Sequence, residues 1–296
     1  MPAPTFISRC RARLLRRAVC AADASPGRAA NAHTFPMFRI FLYFVTSLLP
    51  LSFLHAQTLR IAAASDLQFV LPDLAAQYER QSSVKLAITY GSSGNFFAQI
   101  QNGAPFDLFF SADVSYPDKL VSAHLADPNS LQVYAIGRLV LCLPPDSPLD
   151  PATGLKVLLD PRIQKIAIAN PAHAPYGRAA VAALKNAGLY EQLTPKLVFG
   201  ENISQAAQFV QSGSAQAGLI AFSIAFSPAM KSGKHWEVPA AQYPAVEQAV
   251  VLLADSPNKA PADSFLAFLK TPAARAIFEL YGFFLPPAPA GEKHKL

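Results

Sequence analysis

The sequence predicts an α/β protein built on parallel sheet, and three observations carry that expectation. From position 57 onward, short apolar runs alternate with amphipathic stretches of about 10–15 residues, the pattern of strands joined by crossover helices. Within the amphipathic stretches, apolar residues recur at three- and four-residue intervals, which marks one face of a helix. Gly103, Gly188 and Gly213 then stand just past the last apolar position of three of these stretches, where helices stop.

Taken in order, 59–64 is the first strand, and it runs through Ala62-Ala-Ala-Ser65-Asp66 straight into a helix expected over 65–81. Leu67, Val70, Leu71, Leu74, Ala75 and Tyr78 share its buried face, and Ser65 falls at its N-cap. A strand at 84–90 leads through Gly91-Ser92-Ser93-Gly94 to a second helix carrying Phe97 and Ile100. A third strand within 107–113 ends in a polar turn before a helix around 117–123. The long apolar stretch 133–143 is interrupted at Gly137-Arg138, and a Pro-rich loop, 144–151, follows it.

A second α/β block begins there, with a short helix at 155–159, a strand at 166–169, a loop at 170–177 and a helix at 178–186. A strand at 196–199 leads into a helix from Ile203, whose Ile203, Ala206, Ala207 and Val210 make one face. Strands at 217–222, 236–238 and 249–253, then helices at 263–269 and 271–281, complete the series. The expected lobes are 57–137 with 248–286, and 138–247. Residues 287–296, Pro-rich and then charged, read as a flexible tail.

Length and charge narrow the function. The chain of 296 residues has room for two domains, and its net charge of +6 invites a nucleic-acid or membrane partner. That charge is local: residues 1–56 hold seven Arg, no Lys and one acid, Asp23. The rest of the chain has 18 basic and 18 acidic residues, so the electrostatic case for nucleic acid fails. Met37-Phe38-Arg39, the apolar run 40–54 and the small Ala56 read as a signal peptide over 37–56, cleaved before Gln57. The apolar run is shorter than the roughly 20 residues of a spanning helix. The Arg-rich 1–36 ahead of it suggests either a mis-assigned start, with Met37 as the initiator, or an unusually long n-region.

Catalytic and metal chemistry find no foothold in the sequence. Cys142 is the one cysteine after the leader and lies in an apolar run, as a buried thiol would. His124, His173, His235 and His294 are scattered without metal-ligand spacing, and Asp107 and Asp113 read as turn and cap residues. No Gly-x-Ser-x-Gly, His-Glu-x-x-His, P-loop or Gly-x-Gly-x-x-Gly is present. The expectation is a binding protein without enzymatic activity or cofactor.

Four strand-to-helix junctions stand out: Ala64-Ser65-Asp66, Gly91-Ser92-Ser93-Gly94, Ala174-Pro175-Tyr176-Gly177 and Gly200-Glu201-Asn202-Ile203. Each places small, hydroxyl or turn-forming residues before a helix and none carries a Lys or Arg. A helix start offers unpaired N–H groups and about half a positive charge, enough to hold an anion without a cation. Asp66 is the exception, a carboxylate where an anion would sit. Arg178, in the first turn after Gly177, reads either as a steering charge for anions or as a solvated one.

These junctions, with Gly103-Ala-Pro-Phe-Asp107-Leu-Phe-Phe-Ser-Ala-Asp113, Phe199-Gly-Glu-Asn-Ile203, Ser212-Gly213 and Tyr281-Gly282-Phe283, resemble the periplasmic molybdate-binding proteins of molybdate ABC transporters over 58–286. The resemblance implies a type II periplasmic binding protein: two α/β lobes joined by two crossovers, with the ligand cleft between them. It implies molybdate or tungstate as ligand, an ABC permease as partner, and a monomer. Ser65 and Ser93 would bind by hydroxyl and N–H, and Asp66, Tyr176 and Ile203 by backbone N–H. Some family members place a Tyr hydroxyl in the site at the position of Ala221; that contact is absent here, and Tyr176 is the residue that would compensate. Asp66 keeps an alternative open, a protonated oxyanion such as phosphate, and sulfate is the other dianion to separate.

Overall fold

The computed structural model describes residues 57–286. The signal peptide and upstream extension expected within 1–56, and the tail 287–296, lie outside them. Among the described residues, no helix is long and apolar enough to cross a membrane.

Strands β1 (Thr58–Ala64), β2 (Lys85–Gly91), β3 (Leu108–Ser111) and β4 (Gln132–Gly137) belong to a first sheet, and β5 (Leu139–Leu143), β6 (Ile166–Ala169), β7 (Leu197–Gly200), β8 (Ala217–Ala221) and β9 (Lys234–Glu237) to a second. Strand β10 (Val246–Leu252) returns to the first. The orders are β2-β1-β3-β10-β4 and β7-β6-β8-β5-β9. In each, three strands are parallel and the fourth position holds an antiparallel strand.

The sheets are therefore mixed, where the sequence predicts parallel sheet. The antiparallel member is in each case the strand delivered by a crossover: β5 arrives from the first sheet through Arg138, and β10 from the second. Its direction is set by that crossing and not by its own residues, so periodicity cannot report it.

The longer helices are α1 (Val70–Gln81), α2 (Ser93–Gln101), α3 (Ser115–Ser122), α4 (Pro175–Asn186), α5 (Ile203–Gln211), α6 (Lys259–Leu269) and α7 (Pro272–Leu280). Leu67, Val70, Leu71, Leu74 and Tyr78 bury against β1 and α6, and Ile203, Ala206, Ala207 and Val210 bury under the second sheet. Cys142 is buried in β5, where desolvation pushes its thiol up to about 12, so it stays a protonated, inert core residue.

Two helix starts differ from expectation. Residues Ser65–Leu67 form a 3₁₀ turn and α1 begins only at Val70, so Ser65 is not its N-cap. The cause is tertiary: the Ser65 and Asp66 carbonyls accept hydroxyls of Ser204 (3.0 Å) and Ser223 (2.8 Å) from the other lobe. Conversely α4 begins at Pro175, three residues early, because Pro at the first helical position is pre-set for the helix and lacks the N–H it would leave unpaired. Tyr176 thus lies in the first turn of a helix and not in a loop.

Candidate functional site

Parallel strands end where their helices begin, and the C-terminal edges of the two sheets face each other. Ser65, Asp66, Ser93, Tyr176 and Ile203 all line one cavity there, with Ala64, Gly91, Ser92, Ala112, Ala174 and Pro175. This is the crevice at the carboxyl ends of strands where open α/β sheets place ligands. The cavity is small, with an internal volume of about 10 Å³, the space of a single water, so it excludes a sugar or peptide. No Lys, Arg or His lines it.

Its polarity comes from helix ends. In α2 the cap Ser92 accepts the Asn95 N–H, and the Gly94 N–H crosses the cleft to the His173 carbonyl at 2.9 Å. In α5 the cap Asn202 accepts the Gln205 N–H at 3.1 Å, and the Ser204 N–H reaches the Ser65 hydroxyl at 3.4 Å. In α4 Pro175 has no N–H, and the Gly177 and Arg178 N–H groups both go to the Ala174 carbonyl. Capping uses the later donors of each first turn and leaves Ser93, Tyr176 and Ile203, whose N–H groups have no intrahelical acceptor. All three residues line the cavity. Three α-helices and one 3₁₀ turn therefore meet there, where the sequence predicts four helices.

The hydroxyls are arranged unequally. Ser93 Oγ accepts the Ala112 N–H at 2.9 Å, which leaves its proton free to donate. Ser65 Oγ donates to Asn202 Oδ1 at 3.2 Å and so ties the two lobes together. The Tyr176 hydroxyl is turned away from a ligand role: it donates to Asp66 Oδ2 at 3.1 Å.

Asp66 is fully buried. Its Oδ2 also accepts the Gln248 amide, and its Oδ1 is buried without a partner. Burial pushes its carboxyl up to about 6, against the pull of Gln248, Tyr176 and its own backbone N–H. Gln248 is held in turn by the Tyr134 hydroxyl, which donates to its Oε1 at 2.8 Å. Burial keeps the Tyr176 and Tyr134 phenols well above their ordinary range, so both are neutral donors.

Around this centre the cleft is shut. Ser92 Oγ meets His173 Nδ1 at 3.0 Å, Asn95 bonds Glu201, and Arg178 pairs with Asp113 while its Nη1 reaches the Tyr116 hydroxyl at 3.1 Å. Arg178 is therefore not a wall of the cavity; partly exposed, it clasps the rim. Asp113 takes the turn role predicted for it, accepting the Ser115 N–H at 2.8 Å just ahead of α3, and adds this ion pair. Asp107 is a buried staple that accepts from Arg60 N (2.7 Å), Ser256 (2.7 Å) and Asn258 (3.2 Å).

Sequence reasoning missed Gln248, Tyr134, Ser204 and Ser223, and gave His173 no role. One signal was available: Gln248 is a lone amide within the apolar end of β10, and a buried amide needs partners. The interlobe hydroxyls of Ser204 and Ser223 gave no such signal, because Ser in the first turn of a helix is ordinary.

A larger depression of about 660 Å³ opens at the other end of the second sheet. It collects the C-terminal end of α5, Val210 to Gly213, the negative pole of that helix and the wrong one for an anion.

Comparison with known proteins follows the same lines. Residues 59–284 match the family model described as a bacterial extracellular solute-binding protein. The molybdate-binding protein ModA of Rhodobacter capsulatus is 37% identical over 225 residues, spanning 75% of this chain and 87% of its own length. That of Azotobacter vinelandii is 35% identical over 232 residues, 78% of this chain and 91% of its own. The solved structure of the Azotobacter vinelandii periplasmic molybdate-binding protein superposes with a TM-score of 0.73 at 38% identity, covering 77% of this chain and 99% of that one.

Proposed function

The chain belongs to the bacterial extracellular solute-binding proteins, and from that membership we propose that it captures molybdate, with tungstate as the close analogue, and hands it to an ABC-type membrane permease. The observation that carries this reading is the convergence of the uncommitted Ser93, Tyr176 and Ile203 N–H groups on one small cavity without a cation. Each N–H bond to a charged acceptor contributes roughly 1.5–3 kcal/mol net. Three helix starts add about half a positive charge each, which offsets most of a dianion. The Ser93 hydroxyl and the Asp66 N–H complete the shell. The Ser65 hydroxyl joins it by turning from Asn202.

Lobes 57–137 with 248–286 and 138–247 close over the ion about the two crossovers. The protein works as a monomeric carrier, performs no reaction and needs no cofactor. It reaches the periplasm through the signal peptide at 37–56. Molybdate and sulfate are both fully deprotonated at neutral pH, so cavity size separates them. A second reading, phosphate, draws on one observation: a protonated ligand could donate to the buried Asp66. Calorimetric titration with molybdate, tungstate, sulfate and phosphate decides between them. Micromolar or tighter binding of the first two alone is expected; phosphate binding without molybdate binding would sink the reading.

A further inference from the structure

We propose that Gln248 is the positioning residue that holds the Asp66 carboxylate against the hinge and so keeps its charge off the bound oxyanion. The inference rests on the reading of the cavity as an oxyanion site. Asp66 belongs to the wall of that cavity, is fully buried, and has no Lys, Arg or His among its partners in the described residues. A carboxylate beside a dianion in a water-poor cavity is a like-charge pair with little screening. Direction is the remaining control, and two neutral donors supply it at Oδ2: the Tyr176 hydroxyl and the Gln248 amide.

Of the two, Gln248 is the one fixed at its far end. The Tyr134 hydroxyl occupies Oε1, which orients Nε2 toward Asp66 and toward the Tyr176 oxygen at 3.2 Å. Gln248 is fully buried on β10, and the register with β4 slips between Gln248 and Ala249, a bulge whose extra residue on β4 is Tyr134, the side chain that holds Gln248. Space for the amide is cut by Gly137: a Cβ there would lie 2.9 Å from Nε2 and 2.1 Å from the Tyr176 hydroxyl. The residues involved come from β4 and β10, the strands that end and begin the two crossovers, and from the first turn of α4. The hold on Asp66 is thus assembled where the lobes hinge and is complete when they are closed. Without Gln248 the carboxylate keeps only Tyr176 and is free to turn its charge to the ligand.

The test is calorimetric titration of molybdate into the purified chain and into Gln248→Leu, alone and combined with Asp66→Asn. Gln248→Leu is expected to weaken binding by about tenfold or more, and the double variant to regain most of that loss, a coupling of the size seen between contacting residues. A residue that merely filled space would give no such recovery, since neutralising Asp66 does not refill the void left by Gln248. Gln248→Asn, whose shorter amide cannot span the same groups, carries the same comparison if Gln248→Leu does not fold. Equal binding by wild type and the Gln248 variant, or a double variant no tighter than the single, overturns the inference. A wild-type chain that binds no molybdate overturns the ligand reading itself, and that arm is read before any variant.

Discussion

Asp66 carries a stability signature that can be measured without any ligand. Its carboxyl is raised from an ordinary 3.8 to about 6, by burial first. A raised acid binds more protons folded than unfolded between those two values, so its contribution to stability falls as pH rises through that window. Above pH 6 the full cost is present, about 3 kcal/mol from a shift of roughly two units. Asp66→Asn should therefore be more stable than wild type at pH 8 by up to about that amount, with the gap closing toward pH 4. Thermal denaturation at the two pH values checks it; a gap that does not change with pH contradicts it. The position of Asp66 was legible in the sequence as a carboxylate at an anion-binding junction. Its partners were not, because Tyr176 and Gln248 lie 110 and 182 residues away and periodicity sees only neighbours.

Helix starts are the elements that make the site, and their legibility followed a physical rule. The start of α5, and the turn that opens α2, were readable because Asn202 and Ser92 are side-chain caps written locally. The first turn after β1 was not, because its carbonyls answer to Ser204 and Ser223 in the other lobe. Gly94 gives this scale its prediction. It stands at the second position of α2, and a Cβ there would meet the His173 carbonyl oxygen of the opposite lobe at 2.7 Å. Gly94→Ala should wedge the cleft. Overpacking of this kind costs roughly 1–3 kcal/mol, which is about 5- to 150-fold in molybdate affinity. Without ligand the melting temperature should change little, because the wedge acts only where the two lobes meet. Calorimetry and thermal denaturation together test this, and undiminished affinity contradicts it.

At the scale of the molecule, two sheets with the same pattern of strand order face each other with their strand ends, and a small cavity between them takes the first turns of α2, α4 and α5 and the 3₁₀ turn after β1. The alternation of strands and helices was readable from apolar spacing; the antiparallel β5 and β10 were not, since crossing direction is a property of the whole chain. Closure follows from the same arrangement. Ser65, Gly94, Asn95 and Asp113 on one side bond Asn202, His173, Glu201 and Arg178 on the other, and these contacts exist only when the lobes meet. The central claim is that an oxyanion sits among the Ser93, Tyr176 and Ile203 N–H groups. Crystals grown with tungstate test it most directly, through the anomalous signal of the metal. One strong peak is expected in this cavity, with the tungstate oxygens within hydrogen-bond distance of those three nitrogens. A peak elsewhere on the molecule, or a cavity empty at saturating tungstate, would contradict it.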